Sequence, residues 1–150
     1  MKIAIAVSEF NHLITDKLLQ GALDEAENQG ITTPFVVKVP GAVELPFAAQ
    51  QLAKTKKYDA IVLLGCVIRG QTDHYDYVCQ QVSQGTQQVM MHYDLPVIFG
   101  VLTTHDKEQA LARSGGERGN KGAYAVNAAI EMARLQADLR VGKMYRYSAS

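Results

Sequence analysis

One hundred and fifty residues are enough for one domain with a core of its own. Hydrophobic residues make up 47% of the chain and charged residues 20%, a globular balance that excludes disorder or a coiled coil as the main architecture. Lys plus Arg and Asp plus Glu both number 15, so the net charge is zero and the broad positive field that a nucleic-acid partner requires is absent.

Short apolar runs alternate along the chain with helical patterns, the sequence form of strand-helix units around a parallel sheet. Ile3 to Val7 reads as the first strand. A helix follows from about Ile14 to Asn28, with Ile14, Leu18, Ala22 and Ala26 at helical spacing and Gly30 as a left-handed stop. Thr33 to Val39 is the second strand. The second helix begins near Pro46, which suits a first turn because its missing N–H has no partner there, and Leu45, Ala49, Leu52 and Ala53 form its buried stripe. Ala60 to Val67 is the third strand. A helix from near His74 follows, with Tyr75, Val78, Cys79, Val82 and Val89 on its apolar face and Asp73 and Asp76 at the end where the helix dipole favours negative charge. Val97 to Thr103 is the fourth strand. A short helix from Lys107 to about Ser114, a Gly-rich interruption from Gly115 to Gly122, and a long helix through Val126, Ile130, Ala133 and Leu139 close the chain.

This order predicts an α/β protein with a flavodoxin-like three-layer α/β/α sandwich around a central four-stranded parallel sheet, in a single domain over residues 1–150. Ligands of such sheets bind beyond the carboxyl ends of the strands where strand order reverses, so Ser8 to His12 and Ile68 to His74 should border the site. Cys66 and Cys79 lie thirteen positions apart without a CxxC pair, which matches no zinc spacing, and we expect two reduced thiols and a cytoplasmic location. Met1 to Val7 lacks the features of a signal peptide, and no apolar run is long enough to span a membrane.

Gly65-Cys-Val-Ile-Arg-Gly-Gln-Thr72 joins a strand to a helix, where successive N–H groups can form a nest for an anion such as phosphate. Gln71 stands where a P-loop carries its lysine, so ATP or GTP is a weak reading, and a glycine-permitted turn is the alternative to an anion nest. His74, at the mouth of that loop, is the best-placed proton carrier of the four histidines, with a cap or solvent residue as the alternative. His12, His92 and His105 read as surface residues. Gly41-Ala-Val-Glu-Leu-Pro46 lets the backbone approach a ligand while Glu44 offers a carboxylate to hydroxyl groups, or else is an exposed acid in a first helical turn. Phe10 offers a surface for a flat heterocycle, or rim packing. Arg113, Arg118 and Lys121 in or beside the glycine-rich segment make either a phosphate clamp or dipole compensation at a helix end.

Together these segments resemble the lumazine synthase family from near residue 3 to near residue 136. The resemblance rests on Phe10-Asn11, Val39-Pro-Gly-Ala-Val-Glu-Leu-Pro46, Leu64-Gly-Cys-Val-Ile-Arg-Gly-Gln-Thr-Asp-His-Tyr-Asp-Tyr-Val78, Pro96-Val-Ile-Phe-Gly100, and Gly119-Asn-Lys-Gly122 continuing to Ala129-Ile-Glu-Met-Ala133. It implies condensation of a ribitylaminopyrimidinedione with 3,4-dihydroxy-2-butanone 4-phosphate, with no cofactor and no metal. It implies His74 as proton carrier, and Arg113 with the backbone of Gln71 and Thr72 as the phosphate site. It further implies Phe10 stacked on the pyrimidine, Val67 and Ile68 at its edge through their backbones, Ala42, Val43 and Glu44 on the ribityl chain, and Phe99 and Lys121 completing the pocket. In that family Phe99, Arg113 and Lys121 arrive from the adjacent subunit of a pentamer. Pentamers of the family stand alone, pair, or close into an icosahedral shell of sixty subunits, and the length of the Gly115 to Gly122 segment resembles that of the shell-forming members. A riboflavin synthase is the partner the resemblance implies. Two positions depart from the family pattern: Glu9 stands where Arg is usual, and Val43 where an aromatic is frequent. The residues by themselves also admit a phosphosugar enzyme or a lumazine or flavin carrier of the same fold. A receiver-type signalling domain is excluded by Leu63-Leu64-Gly65, where an acceptor aspartate would be needed.

Overall fold

Ile3–Ser8 is a strand, β1, with all six residues buried. A strand without apolar-polar alternation is what a sheet covered on both faces demands. The computed structural model describes residues 1–143, so residues 144–150 of the expected domain lie outside the described residues. After β1 come α1 (His12–Asn28), β2 (Phe35–Val39), a single 3-10 turn (Ala42–Glu44), α2 (Leu45–Lys54), β3 (Ala60–Ile68), α3 (His74–Tyr93), β4 (Val97–Thr104), α4 (Lys107–Ala112), β5 (Ser114–Gly116), β6 (Gly119–Asn120) and α5 (Lys121–Arg140).

The main sheet has the order β2-β1-β3-β4 and every pairing in it is parallel. Strand alternation sends Ile3, Ile5, Val7, Val62 and Leu64 to one face, where Ile14, Leu18, Ala22 and Ala26 of α1 and Val126, Ala129 and Ile130 of α5 cover them. Ala4, Ala6, Ile61 and Leu63 face the other way, onto Leu45, Ala49 and Leu52 of α2 and Val78, Val82 and Val89 of α3. These are the three layers expected. From β1 the order departs to β2 on one side and to β3 on the other, so the reversal falls between β1 and β3.

Glycine sets how closely the outer layers approach. A Cβ at Gly122 would run into the Leu18 carbonyl, so α5 crosses α1 with backbone against backbone. Asn120 fastens that crossing: its Oδ1 accepts from the N–H groups of Gly122 and Ala123 at 2.8 and 3.1 Å, and its Nδ2 donates to the Lys17 carbonyl at 3.0 Å.

Several boundaries differ from the sequence expectation. β2 starts at Phe35 rather than Thr33, because Pro34 has no N–H to give a ladder. α1 starts at His12, two residues early, since Asn11 takes a left-handed conformation (φ 63°, ψ 44°) that turns the chain into it. The Gly115 to Gly122 interruption is built rather than loose. It holds the β5–β6 antiparallel hairpin, α4 ends at Ala112 before it, and Gly122 belongs to α5. Leu139, expected on a buried face, is 59% exposed, because Ala133 is the last buried residue of α5 and the helix outruns the layer it packs on. Among the described residues no helix is long and apolar enough to cross a membrane.

Candidate active site

The end of β1 is extended by two further bonds to the segment after β2: Glu9 N–H donates to the Val39 carbonyl at 2.8 Å and Phe10 N–H to the Pro40 carbonyl at 3.0 Å. Asn11 then anchors the turn to β3, its Nδ2 donating to the Cys66 carbonyl at 2.9 Å. Phe10 is therefore held by its backbone while its ring stands 71% exposed, so it is not packed into the rim. Across from it, the Gly41 N–H donates to Glu44 Oε1 at 3.0 Å and closes the 3-10 turn that carries Ala42 and Val43.

β3 outlasts β1. Its pairing with β1 ends at Val7 and Leu64, while its pairing with β4 continues through Ile68 and Thr104, and Arg69 N–H adds a bond to the Thr104 carbonyl at 2.9 Å. Successive residues of a strand turn their N–H and C=O to opposite neighbours. The Cys66 carbonyl faces the β1 side, where Asn11 meets it, and Arg69 faces β4. By alternation Val67 spends its backbone groups on β4, whereas those of Ile68 face the space that β1 has vacated. The anion nest expected from Gly65 onward is accordingly shorter, because Gly65 to Ile68 are ladder residues paired with Val101 to Thr104. What remains is the turn from Arg69 to Asp73. Among the described residues, the N–H groups of Gln71 and Thr72 make no hydrogen bond within the chain. Thr72 Oγ1 accepts from the His74 N–H at 3.4 Å, which places the exposed His74 at the first position of α3.

Phe10, Ala42, Val43, Val67, Ile68, Thr72 and His74 thus line one cavity of about 440 Å³. Glu44 and Gln71 do not line it, and one oxygen of Glu44 is taken up by Gly41. Glu9, the departure beside Phe10, is exposed and outside the cavity. Cys66, Tyr75 and Val78 also line it, unforeseen as site residues. Burial pushes the Cys66 thiol up to about 11. Burial likewise raises the Tyr75 hydroxyl and the Cys79 thiol. The Arg69 guanidinium lies 5.4 Å from the centre of the Tyr75 ring and 3.5 Å from Asp76.

Phe99, Arg113 and Lys121 line a different cavity, of about 910 Å³, between β4 and the segment from α4 to α5, and the two linings share no residue. Arg113 closes α4, and its Nη1 donates to the Gln109 carbonyl at 3.0 Å, the helix-end role open to it from the sequence. The hairpin returns on this helix end through Arg118 N–H to the Ala112 carbonyl and Lys121 N–H to the Arg113 carbonyl, both 2.8 Å. Lys121 Nζ sits 4.6 Å over the Tyr124 ring. Arg118, read with Arg113 from the sequence, lines this cavity too, as do His105, Gln109 and Tyr124, which were not foreseen there. Tyr124 had a signal: it follows Lys121 by three positions in a helix, which puts the two on one face. Among the described residues no group of three His, Cys, Asp or Glu is placed to hold a metal ion.

Residues 1–137 match the sequence pattern of the family described as 6,7-dimethyl-8-ribityllumazine synthase. Two proteins bearing that name, from Coxiella burnetii strains CbuG_Q212 and RSA 493 / Nine Mile phase I, are each 56% identical over 142 residues, covering 93% of this chain and 94% of the relative. The protein of that name from the Dugway 5J108-111 strain is equally similar. The chain belongs to the 6,7-dimethyl-8-ribityllumazine synthase family.

Proposed function

We propose that this chain condenses 5-amino-6-ribitylamino-2,4-pyrimidinedione with 3,4-dihydroxy-2-butanone 4-phosphate to give 6,7-dimethyl-8-ribityllumazine, phosphate and water, the penultimate step of riboflavin biosynthesis. Residues 1–150 act as one catalytic domain in the cytoplasm, and the unpaired thiols Cys66 and Cys79 support that location. A riboflavin synthase is the partner that consumes the product.

The first cavity takes the pyrimidine. The exposed Phe10 ring stacks on it, the open backbone groups of Ile68 meet its edge, and Ala42, Val43 and the second Glu44 oxygen hold the ribityl hydroxyls. The amine attacks the ketone carbon. The carbinolamine then loses water to an imine, with His74 at the cavity mouth giving and taking the protons. Proton removal next to the imine expels phosphate, and the ribitylamino nitrogen closes the ring with loss of a second water. Arg113 and the N–H groups of Gln71 and Thr72 hold the phosphate until it leaves. Much of the rate comes from orienting two reactants, for which effective molarities reach about 10⁵ to 10⁸ M.

One observation carries the two-subunit form of this reading: the groups it needs fall into two cavities with no residue in common. We take the second cavity of an adjacent copy, in a pentamer-based ring, to complete the first. A His74→Ala chain and an Arg113→Ala chain, each nearly inactive alone, should regain activity when refolded together. Random mixing leaves about a quarter of the sites with both halves intact, as for any head-to-tail interface. Mixed oligomers that stay as inactive as their parents would sink the shared site. Wild-type protein that binds lumazine without accelerating its formation would be a carrier instead.

A further inference from the structure

The cavity between β4 and α5 holds more positive charge than one phosphate clamp needs. Arg113, Arg118 and Lys121 line it, and no Asp or Glu does. Among the described residues none of the three is in an ion pair. Lys121 has an aromatic neighbour in Tyr124, which steadies an ammonium without neutralising it. Arg113 uses one of its five N–H donors on its own helix. The Arg118 side chain makes no hydrogen bond within the described chain, yet the backbone that carries it is held in place. Its N–H is bonded to the Ala112 carbonyl at 2.8 Å, and Gly119 turns the chain directly behind it with φ +77°. The hairpin also lies tight against the end of α4, where a Cβ at Gly116 would come within 2.8 Å of the Leu111 carbonyl and 2.9 Å of Ala112 Cα. A guanidinium set at the tip of such a hairpin, in a cavity without carboxylates, has no structural task of its own.

We propose that Arg118 is a specificity-determining residue: a second guanidinium that meets the phosphate beside Arg113 and makes the cavity selective for a dianionic phosphate group. This rests on the ketone phosphate being the substrate. A planar fork engages two oxygens, so two forks and an ammonium satisfy a phosphoryl group that one arginine leaves partly solvated. The same chemistry makes free inorganic phosphate, the released product, a competitor for this cavity.

The test is calorimetric titration of inorganic phosphate into the assembled full-length protein, wild type and Arg118→Gln, with ketone-phosphate kinetics run beside it. Loss of one charge-assisted contact should weaken inorganic phosphate about tenfold and raise KM for the ketone phosphate by a similar factor, with no rise in KM for the pyrimidine. Arg118→Lys, which keeps the charge and loses the fork, should fall between, and it carries the test if the Gln variant does not assemble. Phosphate affinity equal to wild type in an assembled variant would overturn the role of Arg118, whatever the turnover. Weakened phosphate binding in a protein that makes no lumazine would keep Arg118 and sink the proposed reaction.

Discussion

The cavity that holds Phe10 and His74 stands on the ends of buried strands, whereas the cavity that holds Arg113 and Lys121 stands on the open side of β4, an edge strand, under a two-stranded hairpin. The first is mainly apolar surface with backbone groups that the neighbouring strand has left unpaired. The second is cationic. On the proposed reading the first cavity recognises a flat ring and a row of hydroxyls, which needs fixed edges, and the uneven lengths of β1 and β3 leave backbone groups open there. Recognising a phosphate requires long cations with their charge uncompensated, and an edge with helix ends and a hairpin can display them away from the core. The difference teaches that the sheet provides shape and its periphery provides charge, and on the proposed reading the two are joined only between neighbouring copies.

Arg113→Ala is the hardest blow to that division. Two charge-assisted bonds at about 1.5–3 kcal/mol each imply a fall in kcat/KM of about 10³-fold, carried by the ketone phosphate. If Arg113 merely caps Gln109, the variant will melt earlier and keep its kcat/KM, and the cationic cavity will have lost its meaning. His74→Ala should cost less, near the low end of general acid-base effects at about 10²-fold in kcat.

A smaller change sharpens the apolar half. Phe10→Ala is expected to raise KM for the pyrimidine about tenfold, the upper range of an aromatic pair, and to leave KM for the ketone phosphate near its wild-type value. Equal rises for both substrates would mean that the ring supports the turn at Asn11 instead of stacking on a ligand.

The fold was legible because β1 and β3 are nearly continuous apolar runs and the helices carry stripes such as Ile14, Leu18, Ala22 and Ala26, all of them buried. The first cavity was partly legible, since Phe10 and Ala42-Val43 follow strands and Val67 to His74 span the end of a third strand and the start of a helix. What stayed hidden is long-range geometry. That Val67 turns its backbone to β4 while Ile68 does not depends on how far β1 extends, which no local pattern encodes. The hairpin was hidden for another reason. Gly115 and Gly119, with φ of +114° and +77°, mark flexible chain in a sequence, but here they allow a close return onto α4 that is fixed by bonds from Arg118 and Lys121. Leu139 misled because helical period says which face is apolar and not where the partner layer ends.

The smallest effect on the reaction is expected at Cys66, on the floor of the first cavity. Its thiol is pushed from 9.0 up to about 11 by burial, so it remains neutral at working pH and is no nucleophile. The consequence for stability has a definite sign. Below about pH 9 the thiol is protonated in folded and unfolded chains alike, and its contribution is fully present. As pH rises toward 11, the unfolded chain gives up the proton while the folded one keeps it, and stability falls through that window. Tyr75 and Cys79 are also raised, so the comparison must be between wild type and Cys66→Ala in denaturant titrations at matched pH. The alkaline loss should be shallower in the variant, and turnover at neutral pH should be close to wild type. Rapid alkylation of Cys66 in the folded protein at neutral pH would show the floor of the cavity open to solvent. The apolar half would then have no claim to the rigidity on which its contrast with the cationic half depends.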